Sequence, residues 1–82
     1  MTRTYRTIIV KDDAGYHGWV PALAGCHTFG KTVEETQKNL KEAIEGWLLT
    51  REDRNWPIPE DTLIETLQTV TIPRGSSLSA YA

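Results

Sequence analysis

Hydrophobic positions recur every three or four residues between Thr32 and Thr50, which predicts one amphipathic helix. Thr32 and Glu35 have the spacing of a capping box, in which each side chain bonds the other residue's main-chain N–H. The positions on the buried stripe are Val33, Thr36, Leu40, Ala43, Ile44, Trp47 and Leu48. The opposite side is rich in Glu and Lys, so this helix must bury its stripe against another element.

Segments rich in β-branched and aromatic residues predict three strands before the helix, at residues 5–11, 16–20 and 26–30. A polar run from Asp12 to Gly15 predicts a tight turn between the first two strands. Pro21 and Gly25 mark the connection to the third. We expect these strands to pair antiparallel.

Beyond the helix, Pro57 and Pro59 prevent helical structure from continuing, and Thr66–Ile72 alternates in a way that predicts a fourth strand. The predicted fold is therefore α+β, a two-layer sandwich in which one main helix packs on an antiparallel sheet of β-β-β-α-β order. We expect residues 1–73 to form the domain and residues 74–82 to be a flexible C-terminal tail.

One helix covers only one face of a sheet, so the pattern predicts an uncovered apolar face. Gly18 shares one face with Tyr16 and Val20 and would let the helix or a neighbouring strand approach closely, whereas His17 and Trp19 share the other face. We therefore expect Ile8, His17, Trp19 and His27 to form a partner or oligomer interface, and the chain to be at least a dimer. Open strand edges are a second route to pairing, and the pattern does not choose between them.

The size and charge of the chain favour such assembly. An 82-residue chain buries only roughly 60–65% of its unfolded surface, and a single cysteine excludes an internal disulfide. The net charge of -2 argues against a general nucleic-acid-binding surface. With no hydrophobic signal region and no apolar run near ~18 residues, we expect a cytoplasmic protein without membrane contact.

Catalytic, cofactor and metal sites are all weakly supported by the sequence. Cys26 could act as a nucleophile with His17 or His27, but adjacent strand residues face opposite sides, and burial in the core is the commoner fate of a free cysteine. A zinc site at these three residues would need a fourth ligand or an open position. Asp12 and Asp13 are interpreted as turn residues rather than metal ligands.

Two tryptophans have predicted structural roles. Trp47 lies on the helical stripe and is expected in the core. Trp56 precedes Pro57 after a charged run, and we expect it to seal one end of the core rather than to stack on a nucleic-acid base.

The segment from Gly15 to Ile44 resembles the HicB family of antitoxins. The resemblance rests on an ordered series that matches the family's proline-leucine-glycine-cysteine to glycine-threonine run and its helix: Pro21, Leu23, Gly25, Cys26, Gly30, Thr32, Glu34, Glu35, Asn39, Glu42, Ala43 and Ile44. It implies a partial ribonuclease-H-like sheet, assembly as dimers or larger oligomers, and neutralisation of a HicA-type toxin, which is a small RNA-cleaving protein.

Many HicB-like proteins also carry a C-terminal helix-turn-helix or ribbon-helix-helix segment that binds operator DNA. Only ten residues follow Ile72 here, so we expect no direct DNA binding from this chain. The alternative reading is a solitary oligomeric HicB-like interaction or regulatory module that has no cognate toxin.

Overall fold

The structure is a computed structural model that describes residues 2–74. It contains three strands followed by one helix: β1 (Ile8–Asp12), β2 (Gly15–Trp19), β3 (His27–Gly30) and α1 (Val33–Asp53). The strands form one antiparallel sheet in the order β1-β2-β3, and α1 packs on one face over β3 and β2. The predicted α+β architecture is confirmed. Residues 75–82 of the predicted tail lie outside the described part.

The β1–β2 turn is stabilised locally by Asp12, whose Oδ1 accepts a hydrogen bond from the Ala14 N–H at 3.0 Å. This Asx-type bond is the turn role that the sequence predicts for Asp12. Gly15 follows with a φ of 156°, where a Cβ would lie 2.5 Å from the Gly30 carbonyl oxygen. The turn therefore requires glycine for steric as well as conformational reasons.

The start of α1 has one of the two hydrogen bonds of the predicted capping box, and the reciprocal bond from the Thr32 N–H to the Glu35 carboxylate is not formed. Thr32 is in an extended conformation and its hydroxyl accepts the Glu35 N–H at 3.0 Å. Thr36 is fully buried, and its hydroxyl donates to the Thr32 carbonyl at 2.7 Å, so no unpaired hydroxyl is carried into the core.

The end of α1 lies three residues beyond the predicted Thr50. Asn55 adopts a left-handed φ of 55°, the Trp56 N–H bonds to the Arg51 carbonyl at 2.9 Å, and the Asn55 N–H bonds to the Glu52 carbonyl at 3.1 Å. These two bonds form a Schellman motif, which terminates the helix and reverses the chain direction.

This reversal explains why the prediction for Trp56 was wrong. Its side chain is 48% exposed and lies outside the core. The indole ring instead lies beneath two guanidinium groups, 5.4 Å from Arg51 and 5.0 Å from Arg54. The C-terminal turn carries the ring past the end of the sheet.

The core is small and lies between the sheet and α1. Its buried side chains are Val20, Leu23, Cys26 and Leu40, against which Tyr5, Ile9, Ala43, Ile44 and Trp47 pack with partial burial. The indole N–H of Trp47 donates to the Ala24 carbonyl at 3.1 Å, which fixes the helix to the β2–β3 connection. The predicted core positions of Trp47 and Cys26 are confirmed.

Two glycines allow the helix to approach the sheet. A Cβ on Gly18 would lie 2.7 Å from Leu40 Cδ1, and a Cβ on Gly30 would lie 2.6 Å from the main-chain nitrogen of Thr36. Such distances leave no room for a side chain, and for Gly30 the obstacle is backbone that cannot rotate away. Close packing of α1 therefore depends on these positions.

The predicted fourth strand at Thr66–Ile72 is not formed in the structure, because this segment leaves the sheet without finding a partner. Residues 63–72, which we name the C-terminal arm, are irregular in hydrogen bonding and expose their large apolar side chains. The exposed fractions are 53% for Leu63, 88% for Ile64, 95% for Leu67, 77% for Val70 and 65% for Ile72. A strand is stable only when another strand completes its ladder.

The root of the arm is nevertheless fixed to the start of the sheet. The Tyr5 hydroxyl donates to the Pro59 carbonyl at 2.5 Å. Asp61 accepts from the Arg6 guanidinium at 2.8 and 3.2 Å and from the Arg6 N–H at 2.7 Å. These contacts occupy Tyr5 and Arg6, so β1 begins at Ile8 rather than at the predicted Tyr5.

We expect Gly30→Ala to destabilise the protein by about 1–3 kcal/mol, because the new methyl group would overlap the Thr36 backbone. Gly46→Ala is the matched control, since a Cβ there meets nothing within 4 Å, and it should stabilise the helix by about 0.5–1 kcal/mol. Urea unfolding of both variants measures the difference. Equal stability of the two variants would contradict the close approach.

The ion pair at the root of the arm predicts a pH dependence. The Arg6 hydrogen bonds hold the pKa of Asp61 well below its ordinary value of about 3.9. Ionised Asp61 therefore stabilises the folded state above about pH 4, and this stabilisation is lost as the pH falls through the native pKa. Asp61→Asn should lower stability near neutral pH and flatten its acid dependence below about pH 4 in urea titrations.

Asp13→Asn, at an exposed turn residue, is the control for that experiment and should follow the wild-type acid dependence. An Asp61→Asn variant that loses stability in acid as steeply as the wild type would refute the role of the ion pair.

Candidate functional site: the open face of the sheet

The sheet face opposite α1 is formed by two rows of cross-strand neighbours. Ile8 pairs with Trp19 and Trp19 with His27, while Val10 pairs with His17 and His17 with Phe29. Gly18 and Ile9, in the row between these two, face the helix. Because side chains alternate along a strand, the two rows named above lie on the face away from the helix. We name these six residues the open face.

The open face is aromatic, and His17 lies at its centre. The His17 ring stacks on Phe29 with centroids 4.7 Å apart and an interplanar angle of 22°. Trp19 lies 5.6 Å from the same imidazole and His27 lies 5.5 Å from it. Four rings from two strands are thus held in mutual contact before any partner binds.

All four residues predicted for the interface, Ile8, His17, Trp19 and His27, lie on this face. The structure adds two that the prediction omitted, Val10 and Phe29, whose side chains are 44% and 58% exposed. The signal was present for Phe29, because it follows His27 by two residues and must share its face. Whether the face binds a partner stays a prediction.

Polar chemistry on the open face is sparse. His17 Nε2 is shielded from solvent and has no hydrogen-bond partner among residues 2–74. An unpaired buried polar atom costs roughly 1–3 kcal/mol, so the packing of the His17 ring among its neighbours outweighs a lost hydrogen bond.

Cys26 is not arranged as a nucleophile. It is 5% exposed in the core, and burial raises the pKa of its thiol, which disfavours the thiolate. His27 belongs to the open face on the other side of the sheet. Within residues 2–74, no group of three or more His, Cys, Asp or Glu side chains could hold a metal ion.

A groove lies on the helix face, between residues 2–7 and α1. Its volume is about 870 Å³, and Tyr5, Leu40, Ile44, Leu48, Leu49 and Ile58 supply its apolar surface. A smaller depression of about 400 Å³ lies on the opposite side, where Ile8 and Pro21 approach Leu63 and Ile64 of the arm. The first groove is unfilled apolar surface next to the thin core.

The fold and its faces define a small α+β protein in which one helix covers one side of a three-stranded sheet and leaves an aromatic side open. The chain belongs to the UPF0150 family, because the UPF0150-like family model matches residues 4–59.

Relatives in distant organisms agree with this assignment. A UPF0150 protein of Synechocystis sp. is 39% identical over 61 residues, which cover 73% of this chain and 77% of the relative. A UPF0150 protein of Thermoplasma acidophilum is 45% identical over 62 residues, which cover 74% and 90%. No solved structure has significant similarity to the chain. In the described residues, no helix is long and apolar enough to cross a membrane.

Burial of Cys26 predicts slow chemistry at this thiol. A thiol reagent such as Ellman's should modify Cys26 of the native protein only as fast as the protein opens, and should react at once in denaturant. Phe29→Cys is the control, because a thiol at this exposed position should react rapidly in the folded state. Rapid modification of the wild type would contradict the core assignment.

Proposed function

We propose that this chain is a non-enzymatic, HicB-like antitoxin that binds a HicA-type RNA-cleaving toxin through the open face. The observation that carries the proposal is the aromatic cluster of His17, Trp19, His27 and Phe29 on an uncovered sheet. Rigid aromatic groups bury much area at little conformational cost, and they are enriched at the centres of protein interfaces.

The sequence resemblance supports the identity of the partner. The positions that match the HicB pattern, from Pro21 to Ile44, lie in the segment covered by the UPF0150-like match. In the structure they build the β2–β3 connection, β3 and the start of α1, and thereby position the open face. The antitoxin role itself is proposed from the resemblance to the HicB family.

The proposed mechanism is steric and electrostatic. A protein that cleaves RNA must present a basic surface to phosphates, and a domain that occupies this surface competes directly with RNA. The net charge of -2 on this chain would accelerate encounter with such a surface more than it would strengthen binding. Apolar contacts from the open face would then provide the affinity. Because its target RNA is cytoplasmic, we propose the same location for this protein.

A second candidate function is a solitary oligomeric module without a toxin. The exposed apolar side chains of the C-terminal arm favour this candidate, because they indicate an assembly surface separate from the open face. Genomic context distinguishes the two functions. A short basic reading frame next to this gene favours the antitoxin, and its absence favours the solitary module.

The test is an RNA-cleavage assay with a HicA-type toxin encoded beside this chain. Wild-type protein at stoichiometric excess should abolish cleavage, and Phe29→Asp should weaken inhibition by more than about tenfold because a charge would be buried at the contact. Val33→Asp is the matched control, since it places the same charge on an apolar residue that is 38% exposed but belongs to α1.

Cleavage that continues unchanged with excess wild-type protein would refute the antitoxin role. Inhibition that is weakened by Val33→Asp and not by Phe29→Asp would instead place the toxin on the helix side of the molecule.

A further inference from the structure

The C-terminal arm has the composition of a strand but pairs with no strand of the described residues. Thr66, Thr69, Val70, Thr71 and Ile72 are β-branched, and Pro73 marks its end. If the arm is extended, Leu67 shares one face with Thr69 and Thr71, while Val70 and Ile72 share the other face. The arm is therefore equipped to add to a sheet and present aliphatic side chains to both sides.

Hydrogen bonding identifies which edge of the sheet is available. The Val20 N–H bonds to the Cys26 carbonyl, so by period-two alternation the main-chain groups of Phe29 point outward from β3. Asn39 Nδ2 already donates to the Phe29 carbonyl at 2.7 Å and blocks that edge. The same alternation across β2 directs the main-chain groups of Ile9 and Lys11 outward from β1. β1 thus offers the edge that a further strand can use.

The groove of about 870 Å³ lies on the helix face beside residues 2–7, the segment that leads into β1. Tyr5, Thr7 and Ile9 alternate onto that face, because Tyr5 and Ile9 pack against the core. A strand that pairs along β1 and continues beside residues 5–7 would direct one row of its side chains into the groove. Val70 and Ile72 are the apolar row that suits this position.

The arm of the same copy lies on the wrong side to fill the groove. Its first residues, Leu63 and Ile64, pass Ile8 and Pro21 on the side of the open face, and the Arg6–Asp61 ion pair holds its root there. Ten extended residues reach about 33 Å, which is enough to span the five-residue β1 of a neighbouring molecule.

We propose that the arm forms its fourth strand on a second copy of this chain, by pairing along the β1 edge and placing Val70 and Ile72 in the groove. Exchange of two arms gives a two-fold symmetric dimer in which each molecule donates one strand and accepts another. The β-β-β-α-β sheet that the sequence predicts is then completed between molecules. This proposal does not depend on a toxin.

The test uses the full-length chain and sedimentation velocity over a range of concentrations. Wild type should be a dimer. Val70→Pro, which removes an arm N–H at a 77% exposed position, should raise the dimer Kd more than about 30-fold. Ile72→Asp is a second arm variant, at a residue that is 65% exposed and outside the core, and it should weaken the dimer because it would place a charge in the apolar groove. Lys11→Pro should act equally on the acceptor, because it removes an outward N–H of β1.

Mixing the two proline variants distinguishes arm exchange from other dimers. The intact arm of Lys11→Pro can still pair with the intact edge of Val70→Pro, so an equimolar mixture should recover a heterodimer that neither variant forms alone. Phe29→Asp is the control for a dimer formed through the open face, and it should remain dimeric.

A monomeric wild type at high concentration would overturn the proposal. So would dimerisation of Val70→Pro and Ile72→Asp at the wild-type Kd, dissociation by Phe29→Asp, or failure of the mixture to recover a heterodimer from folded variants. Far-UV circular dichroism verifies folding of each variant. An arm that pairs only when toxin is added would also refute exchange between copies, whereas loss of toxin inhibition alone leaves the sedimentation result intact.

Discussion

The structure depends on the close contact between α1 and the strands at Gly18 and Gly30. Leu40 and Thr36 occupy the space that side chains at these glycines would need, so the helix lies directly against β2 and β3. Among residues 2–74, four apolar side chains are buried in the core. A core of that size leaves little tolerance for displacement of the helix, since packing losses of 1–3 kcal/mol are a large part of a small domain's stability.

The same contact determines what remains uncovered. Because α1 lies over β3 and β2, it leaves a groove beside residues 2–7 on its own face, and in the described residues no second layer packs on the aromatic part of the opposite face. The two surfaces differ in character. The open face presents stacked rings and imidazoles, whereas the groove presents aliphatic side chains beside the segment that leads into β1. The open face and the groove are therefore suited to two different binding partners, and a substitution on one surface leaves the other surface unchanged.

The features that were predictable from the sequence are those set by local interactions. The Thr32 cap, the helical stripe and the Asp12 turn require contacts only a few residues apart, and all three are present. The alternation of side chains along a strand was sufficient to place Trp19 on the same face of the sheet as His17 and on the other face from Gly18. Trp56 was misplaced because a left-handed Asn55, rather than a glycine, forms the helix terminus. The fourth strand was predicted but not formed for a different reason. The alternation and composition of a segment indicate that it can form a strand, but they do not identify the strand with which it pairs.

Pro57 and Pro59 give the connection after α1 a stiffness that ordinary loops lack. Each ring fixes one backbone torsion, and the carbonyl of Pro59 is held by Tyr5, so the chain samples few directions as it leaves the domain. Restricting these directions in advance reduces the entropy lost when the following residues become ordered. The connection thus acts as a preorganised spacer, and inserting flexible residues into it would change the geometry of assembly while leaving every contact surface intact.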